Sequence, residues 1–549
     1  MKSFRIAVGL LLWVACSSDD DRSNAASGLA TLGSASATSA GTTAPGDTTS
    51  APTSAPSGGT TEVTGADVTG GTPLFDIGQI PDAGDPGPSG PVIPETCKQA
   101  EAGESSVGCV FYAVDMDSTS DALPYAIVTA NVQTDVPANV SVQTREGGVW
   151  TDIQAPVTIM PLSLNEFAVA DRHQEGTGVR AGGAYRVVSD VPIVAYQFNP
   201  IDGASSFLSD ASMLYPAATL DAVNHVISTA FVSSSGGAGY PYVTIVGTAD
   251  GTVVEFTATN ATNSGGGIQA AAPGETITIA LQDGDVAQIV AANEANAMTG
   301  SRIVTDEDHP VAVLPGHTCI NIPSNVCCCD HLEEQLSGVR QWGQDFVAAH
   351  MPVRAPANPE ATFWQVYASE DGTTVSFDFD PALSGLPGPS LNLDAGMVGE
   401  FMVTAPAGTE ADFGISATKP IGVVGYMVGA EALGSDIGDP AMAQFVPVEQ
   451  FLPRYVVLVP GTWVNDVFVL TRLAGATITI DGVPVDDGLF VPVGAGTYEV
   501  ARVPVPDGVH VLDGGDQKFG VVVVGYDQHD SYAYIGGTGT GIINPNPAG

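Results

Sequence analysis

Positively charged residues are scarce in this sequence. Its 549 residues include 16 Lys and Arg against 61 Asp and Glu, which gives a formal net charge of −45. A surface of that sign repels the phosphates of nucleic acids and anionic lipid headgroups. The composition therefore argues against any nucleic-acid partner, and it suits a protein that stays soluble outside the cell.

Motifs of common enzyme classes are also missing. The sequence has no HExxH, GxSxG or GxxxxGK[ST] motif, so it lacks the usual signatures of zinc peptidases, α/β-hydrolases and P-loop enzymes. The eight histidines are scattered, and we expect structural roles for His225, His350 and His510. Gly536–Gly541 has a GxG pattern but no helix signal after it, so we expect a linker there.

The N-terminus is typical of a secretory signal peptide over residues 1–15. Lys2 and Arg5 precede an apolar run of about ten residues, which is too short to span a bilayer. Cys16 follows a small residue and precedes SSDDD, a pattern that resembles a bacterial lipoprotein signal. The resemblance implies lipidation of Cys16, anchoring to the outer membrane and display at the cell surface. Plain secretion is the alternative.

Residues 16–95 are rich in Ser, Thr, Gly, Ala and Pro. Such a composition offers too little apolar surface to offset the entropy of ordering the backbone. We therefore expect a flexible tether with a reach of roughly 50 Å. The tether would hold the following region clear of the membrane, so that the lipid is the only membrane contact.

Residues 96–543 are too long for one hydrophobic core and are dominated by strand signals. Asp250-Gly251 and Asp371-Gly372 each lie between two strand-like runs and predict hairpin turns. One unit recurs four times. It consists of a strand, a turn and a second strand that ends in an aromatic residue or Gly. It divides the region into repeats of about 110–215, 216–340, 341–440 and 441–540, followed by a tail at 544–549. The predicted fold is all-β, with tandem antiparallel β-sandwich-like modules; a propeller-like or solenoid assembly is the alternative.

Several motifs carry a family resemblance. They are, in chain order, FYAVDMD, AYRVVSDVPIVAYQFNP, SDASMLYP, GHTCINIP with CCDHLEEQL, and GYDQHDSYAYIGG. Spread from about Cys97 to Gly537, they resemble the IgG Fc-binding protein N-terminal domain family. The resemblance implies a surface binding or adhesion module whose partner is an extracellular protein or glycan. It supplies no catalytic residues, and it does not imply that this chain binds antibody.

Six cysteines besides Cys16 predict disulfides, because the chain is expected in an oxidising compartment. They are Cys97, Cys109, Cys319, Cys327, Cys328 and Cys329. Cys97 and Cys109 are isolated from the others, so we expect them to pair. Cys319 would then close a short loop onto one cysteine of the triplet, and the sequence leaves open which one.

A redox-active or reactive thiol and a metal site are the rival interpretations of this cysteine-rich segment. His317, Cys319, a cysteine of the triplet and His331 offer thiolate and imidazole, which are the ligands that zinc prefers. Their spacing matches no compact zinc motif, so we predict no metal here. The adjacent DHLEEQL is expected to form a short helix or loop with Glu333 and Glu334 in solvent.

Calcium is a second alternative, because extracellular β-modules often bind it through Asp carboxylates. Asp115, Asp117 and Asp121 lie close together, but the segment lacks the Gly and the closing Glu of an EF-hand loop. Asp527 and Asp530 offer no stronger pattern. The sequence therefore predicts no cofactor.

Three function classes remain after these exclusions. The anchor, tether, repeats and resemblance favour a surface-displayed, non-enzymatic protein that binds a glycoprotein, a polysaccharide or a neighbouring cell. A structural component of the envelope would oligomerise without any separable ligand. A hydrolase of extracellular polymers would require a pair of carboxylates or a catalytic triad in one cleft.

Overall fold

The computed structural model of this chain describes residues 93–120, 123–201, 206, 208–231, 239–326, 329–545 and 547. The expected signal peptide, Cys16, most of the tether, Asp121, Cys327 and Cys328 lie outside these residues. Within the described ranges, no helix is both long enough and apolar enough to cross a bilayer.

The described chain is almost entirely β, and its paired strands are antiparallel, which confirms the predicted fold class. Its α-helix, α1 (Cys97–Ala102), begins at a Thr96 capping box. Short 3₁₀ helices span Ala217–Thr219, Val339–Gln341, Ala430–Leu433, Val448–Gln450 and Asp487–Leu489.

The first module is an eight-stranded sheet. Its segment of the chain contains β1 (Gly108–Ala113), β2 (Ala126–Asn131), β3 (Ala138–Glu146), β4 (Val149–Asp152), β5 (Val157–Ile159), β6 (Leu164–Ala168), β7 (Gly178–Arg180), β8 (Tyr185–Asn199) and β9 (Asp210–Met213). The long strand β8 pairs with β1, β2, β3 and β9, whereas β7 leaves this sheet and pairs with a strand of the second module.

Each of the other modules is a pair of sheets. The second contains β10 (Val223–His225), β11 (Pro241–Gly247), β12 (Thr252–Thr257), β13 (Thr276–Leu281), β14 (Val286–Val290), β15 (Arg302–Val304), β16 (Val311–Ile320) and β17 (Asp330–Glu333). Its sheets have the orders β10-β15-β12-β13 and β17-β16-β11-β14-β7. Apolar side chains from both sheets form one core, so the module is a β-sandwich.

The third module contains β18 (Asp345–Ala348), β19 (Ala361–Ala368), β20 (Thr373–Phe379), β21 (Ser390–Leu393), β22 (Val398–Thr404), β23 (Phe413–Ala417), β24 (Ile421–Met427) and β25 (Met442–Gln444). Its sheets have the orders β18-β23-β20-β21 and β22-β19-β24-β25.

The fourth module contains β26 (Arg454–Val459), β27 (Asn465–Leu473), β28 (Thr479–Ile480), β29 (Val483–Pro484), β30 (Val491–Val493), β31 (Tyr498–Pro504), β32 (Gly508–Asp513), β33 (Phe519–Asp527) and β34 (Asp530–Ile535). Its sheets have the orders β26-β32-β28-β29 and β30-β31-β27-β33-β34.

The two Asp-Gly hairpins predicted from the sequence are wrong. Gly251 and Gly372 have the expected positive φ, at 83° and 66°. However, β11 and β12 on either side of Gly251 belong to opposite sheets, and so do β19 and β20 around Gly372. Each turn therefore carries the chain from one sheet of a sandwich to the other. Alternating polarity and a tight turn predict two strands, but they do not say whether the strands pair.

Neighbouring modules share hydrophobic cores. Tyr112 of the first module packs with Leu314 of the second, and the next two cores join the second module to the third and the third to the fourth. A fourth core joins the fourth module back to the first, where the rings of Tyr196 and Tyr534 contact each other in a tilted arrangement at 4.7 Å between centroids. The four modules therefore form a closed ring rather than an open row of independent modules.

The two ends of the described chain meet. The backbone N–H of Ser106 donates to the carbonyl of Thr538 at 3.0 Å, and the N–H of Thr540 donates to the carbonyl of Glu104 at 3.1 Å. Gly536–Gly541 is buried, so the expectation of a linker there is wrong. Its glycines admit the close approach of Tyr455 and Gln450, which would clash with a Cβ atom.

Candidate functional site

An open cleft of about 550 Å³ lies where the loop between β6 and β7 meets the second module. This volume is in the range of small-ligand sites. The cleft is lined by Gly176, Thr177, Gly239, Tyr240, Asn263, Val290, Ala291, Ala292, Asn293 and Glu294. Asn263, Asn293 and Glu294 are exposed, so the lining combines an aromatic ring with amides and one carboxylate.

The loop that forms one wall of the cleft is held by two buried aspartates. Asp117 Oδ2 accepts hydrogen bonds from the backbone N–H of Gly176 at 3.0 Å and from Gln288 Nε2 at 2.6 Å. Asp115 Oδ2 accepts from the backbone N–H of Arg172 at 2.8 Å. Hydrogen bonds to carboxylates are among the stronger ones in proteins. The wall is therefore fixed to the sheets behind it.

The same loop and the segment after β1 together supply the one group of potential metal ligands that the described residues bring within 4.8 Å of one another. It consists of Asp115, Asp171 and His173. Asp171 Oδ1 lies 2.7 Å from His173 Nδ1. Burial raises the carboxyl pKa of Asp171, but the hydrogen bonds from His173 outweigh this effect and hold the pKa below its usual value. The hydrogen bond between the two side chains accounts for their proximity without a metal. Sequence reasoning missed the group because Asp115 lies far along the chain from Asp171 and His173.

A second polar cluster lies where the four modules meet. Asp210, Asp330 and Asp530 begin the edge strands β9, β17 and β34, and Asp439 lies just before β25. Each edge strand pairs with the preceding long strand of its module, and β9 contacts both β17 and β34 while β34 contacts β25. One buried aspartate from each module therefore occupies an equivalent position. Burial raises the carboxyl pKa of all four well above the ordinary value.

The expectation of solvated acids in DHLEEQL is wrong. The segment begins with strand β17, and Glu333 and Glu334 are 0% and 1% exposed. Glu333 Oε2 accepts a hydrogen bond of 2.8 Å from Gln197 Nε2 of the first module. Because charged residues are rarely buried, the sequence alone predicts a surface position for the acidic pair. In this chain the pair lies at a junction between modules.

The structure joins Cys97 to Cys109 and Cys319 to Cys329 by disulfides. The second bond removes the Cys319 thiolate from the rival zinc set. Burial lowers the pKa of His317 and of His331 to about 3, so both imidazoles are neutral at pH 7. His317 Nδ1 accepts a 3.2 Å hydrogen bond from the Cys319 backbone.

The other predicted structural histidines are also buried. His225 Nδ1 lies 2.8 Å from the Tyr367 hydroxyl, and His510 lies between Asp481 Oδ2 and the carbonyl of Pro506 at 2.7 and 2.8 Å. His350 is 1% exposed. None of the three lines the cleft.

Comparison with known proteins places the chain in a family. The profile described as IgGFc binding protein matches residues 210–525, which is more than half of the sequence. The chain belongs to the IgGFc binding protein family. This is a family of binding domains rather than of known enzymes. The match includes the cleft residues from Gly239 to Glu294 and three of the four central aspartates. No curated protein matches the chain.

Proposed function

We propose that the chain is a surface-displayed binding protein that holds an extracellular glycoprotein or glycan in the cleft beside Tyr240. The cleft is the observation that carries this proposal, because it is large enough for a few sugar or peptide units and offers both stacking and hydrogen bonding. Membership of a family of binding domains supports the same role.

The chemistry of the cleft favours binding over hydrolysis. Glu294 is the one carboxylate among its described lining residues, whereas hydrolysis of a glycosidic bond generally uses two carboxylates on either side of the bond. Asn263 and Asn293 supply amide donors and acceptors, which suit the hydroxyl and acetamido groups of a sugar. A neutral or weakly basic ligand fits best, because the chain has a net charge of −45.

The N-terminal segment supports display of the ring at the cell surface. We propose that Cys16 carries the lipid and that the tether separates the ring from the outer membrane. The family does not decide which ligand is bound. Immunoglobulin G is one glycoprotein to try, because the family is named for it.

The proposal is tested by interferometry with the full chain. Immobilised glycoproteins, including immunoglobulin G, and purified polysaccharides are compared before and after enzymatic removal of N-glycans from the proteins. Glu294→Ala and Asn293→Ala should weaken saturable binding by roughly tenfold or more, as expected for loss of a central contact. Glu255→Ala is the matched control, because Glu255 is exposed on β12 and does not line the cleft.

Each result of this experiment has a definite meaning. Binding that is lost with the glycan identifies a sugar ligand, and binding that survives identifies a protein surface. Saturable binding that both cleft variants retain would contradict the cleft as the site. Absence of saturable binding throughout the panel would contradict the binding role and favour a structural component of the envelope.

A further inference from the structure

The four central aspartates are not equally provided with hydrogen-bond donors. Asp210 accepts from the backbone N–H groups of Ala211, Glu333 and Met442 at 2.9, 3.2 and 3.1 Å. Asp530 accepts from the hydroxyls of Ser206, at 3.0 Å, and Ser209. These two carboxylates are therefore stabilised by groups of the protein.

The other two carboxylates lack such donors. Both oxygens of Asp439, which is 1% exposed, lack a hydrogen bond of ordinary geometry among the described residues, although the backbone N–H of Ala430 also acts on the carboxyl group. Oδ2 of the fully buried Asp330 also has none, while its Oδ1 accepts from the N–H of His331 at 2.7 Å. Buried polar atoms without a partner are rare in folded proteins, and a bound ion is one of their ordinary explanations.

The nearby cation offsets these charges only in part. Arg354 acts electrostatically on Asp439, but its Nε is bound to Glu360 Oε1 at 2.7 Å and its Nη2 to the carbonyl of Val428 at 2.7 Å. When they are ionised, Asp210, Asp330, Asp439 and Asp530 bring more negative charge to the centre of the ring than the described side chains offset.

We propose that Asp330, Asp439 and Asp530, supported by Asp210, bind a calcium ion that fastens the four modules together at the centre of the ring. The available ligands are oxygen atoms of carboxylates and of serine, and calcium is the abundant extracellular cation that prefers oxygen ligands and tolerates irregular geometry. The site differs from the Asp115, Asp171 and His173 group, whose members are already paired with one another or with the loop backbone.

The spacing of the carboxylates defines how the ion is held. No three of these four residues are among the described groups with ligand atoms within 4.8 Å, whereas calcium binds oxygen at about 2.3–2.6 Å. The carboxylates therefore turn inward around the ion or bind it through water. Either arrangement draws the edge strands together, so the ion should stabilise the whole ring.

The test uses the full chain, unfolded in urea with EDTA and refolded in CaCl₂, in EDTA, or in EDTA with NaCl at matched ionic strength. The refolded chain should retain one calcium per molecule after gel filtration, and its melting temperature should exceed that in EDTA by roughly 3 °C or more. Asp439→Asn should abolish both effects. Asp436→Asn is the control, because it removes the same charge from an exposed residue three positions away.

The outcomes are distinguishable. A wild-type chain that folds without calcium and melts at the same temperature in CaCl₂ and EDTA would overturn the proposal. Equal stabilisation by NaCl would also overturn it, because screening of the net charge would then suffice. Calcium bound equally by Asp439→Asn would locate the ion elsewhere. If Asp439→Asn does not fold, Asp330→Asn and the calcium content of the wild-type chain decide the question.

Discussion

The carboxylate of Asp210 accepts a hydrogen bond of 3.1 Å from the backbone N–H of Met442, a residue of the third module. The same oxygen accepts from the N–H of Glu333 in the second module at 3.2 Å. One buried side chain of the first module therefore links three modules. The shared cores between neighbours close the ring, and Asp210 connects modules across its centre.

Replacing Asp210 by alanine should destabilise the whole ring. Two backbone N–H groups from other modules would lose their acceptor, at roughly 1–3 kcal/mol for each unsatisfied group, so we expect a loss of about 3 kcal/mol in the free energy of unfolding. Urea denaturation followed by circular dichroism measures it. Asp190→Ala is the control, because Asp190 accepts hydrogen bonds from Asn139 at the surface and should cost less than about 1 kcal/mol. Equal effects would contradict the role of Asp210.

The folded region begins before the end of the predicted tether. The buried carbonyl of Pro94 accepts a hydrogen bond of 2.7 Å from Gln133 Nε2, and Glu95 N–H donates to Gln99 Oε1 at 3.0 Å. Deleting residues 17–92 should leave the melting temperature unchanged. Deleting residues 17–95 should lower stability by roughly 1–3 kcal/mol, because Gln133 loses a buried partner. Thermal denaturation of the two truncated chains compares them, and equal stability would show that Pro94 contributes nothing.

Acid should weaken the fold through His225. Burial lowers the pKa of His225 from 6.5 to about 4, so between these values the unfolded chain binds a proton that the folded chain does not. Its contribution to stability is therefore complete above pH 6.5 and is lost as the pH falls toward 4. His225→Gln should reduce the slope of unfolding free energy against pH in that window, measured by urea denaturation at a series of pH values.

His309 provides a control of opposite sign. Its hydrogen bond to Asp306 raises its pKa, so the stability that it contributes is present at low pH and is lost as the pH rises through that value. His309→Gln should therefore leave the slope between pH 4 and 6.5 nearly unchanged and remove a loss of stability that begins above about pH 6.5. Identical slopes in the two variants would contradict the assignment to His225.

The wall of the cleft should loosen without Asp117. Asp117→Ala removes the acceptor of Gly176 N–H and Gln288 Nε2, and hydrogen bonds to charged groups contribute about 1.5–3 kcal/mol. The open state of the loop should become at least roughly tenfold more populated, and trypsin should cleave after Arg172 correspondingly faster. Asp152→Ala, at an exposed position of β4, should leave cleavage unchanged. An unaltered rate in Asp117→Ala would show that the loop is held by other contacts.

The sequence was informative about strands and less so about their partners. Alternating polarity around Gly251 predicts two strands, but their assignment to opposite sheets depends on the sandwich as a whole. The central aspartates do have a recurring position in the sequence, because one Asp follows the long closing strand of each repeat. Burial of Glu333 could not be foreseen, because its partner Gln197 lies in another module.

The most direct test of the binding account is hydrogen–deuterium exchange of the full chain with and without a saturating glycoprotein or glycan from the binding panel. If the ligand binds in the cleft, exchange should slow at the lining residues 176–177, 239–240 and 290–294. Little change is expected on the far sheet that contains β12 and β13. Protection confined to other surfaces, or no protection at saturation, would contradict the cleft as the binding site.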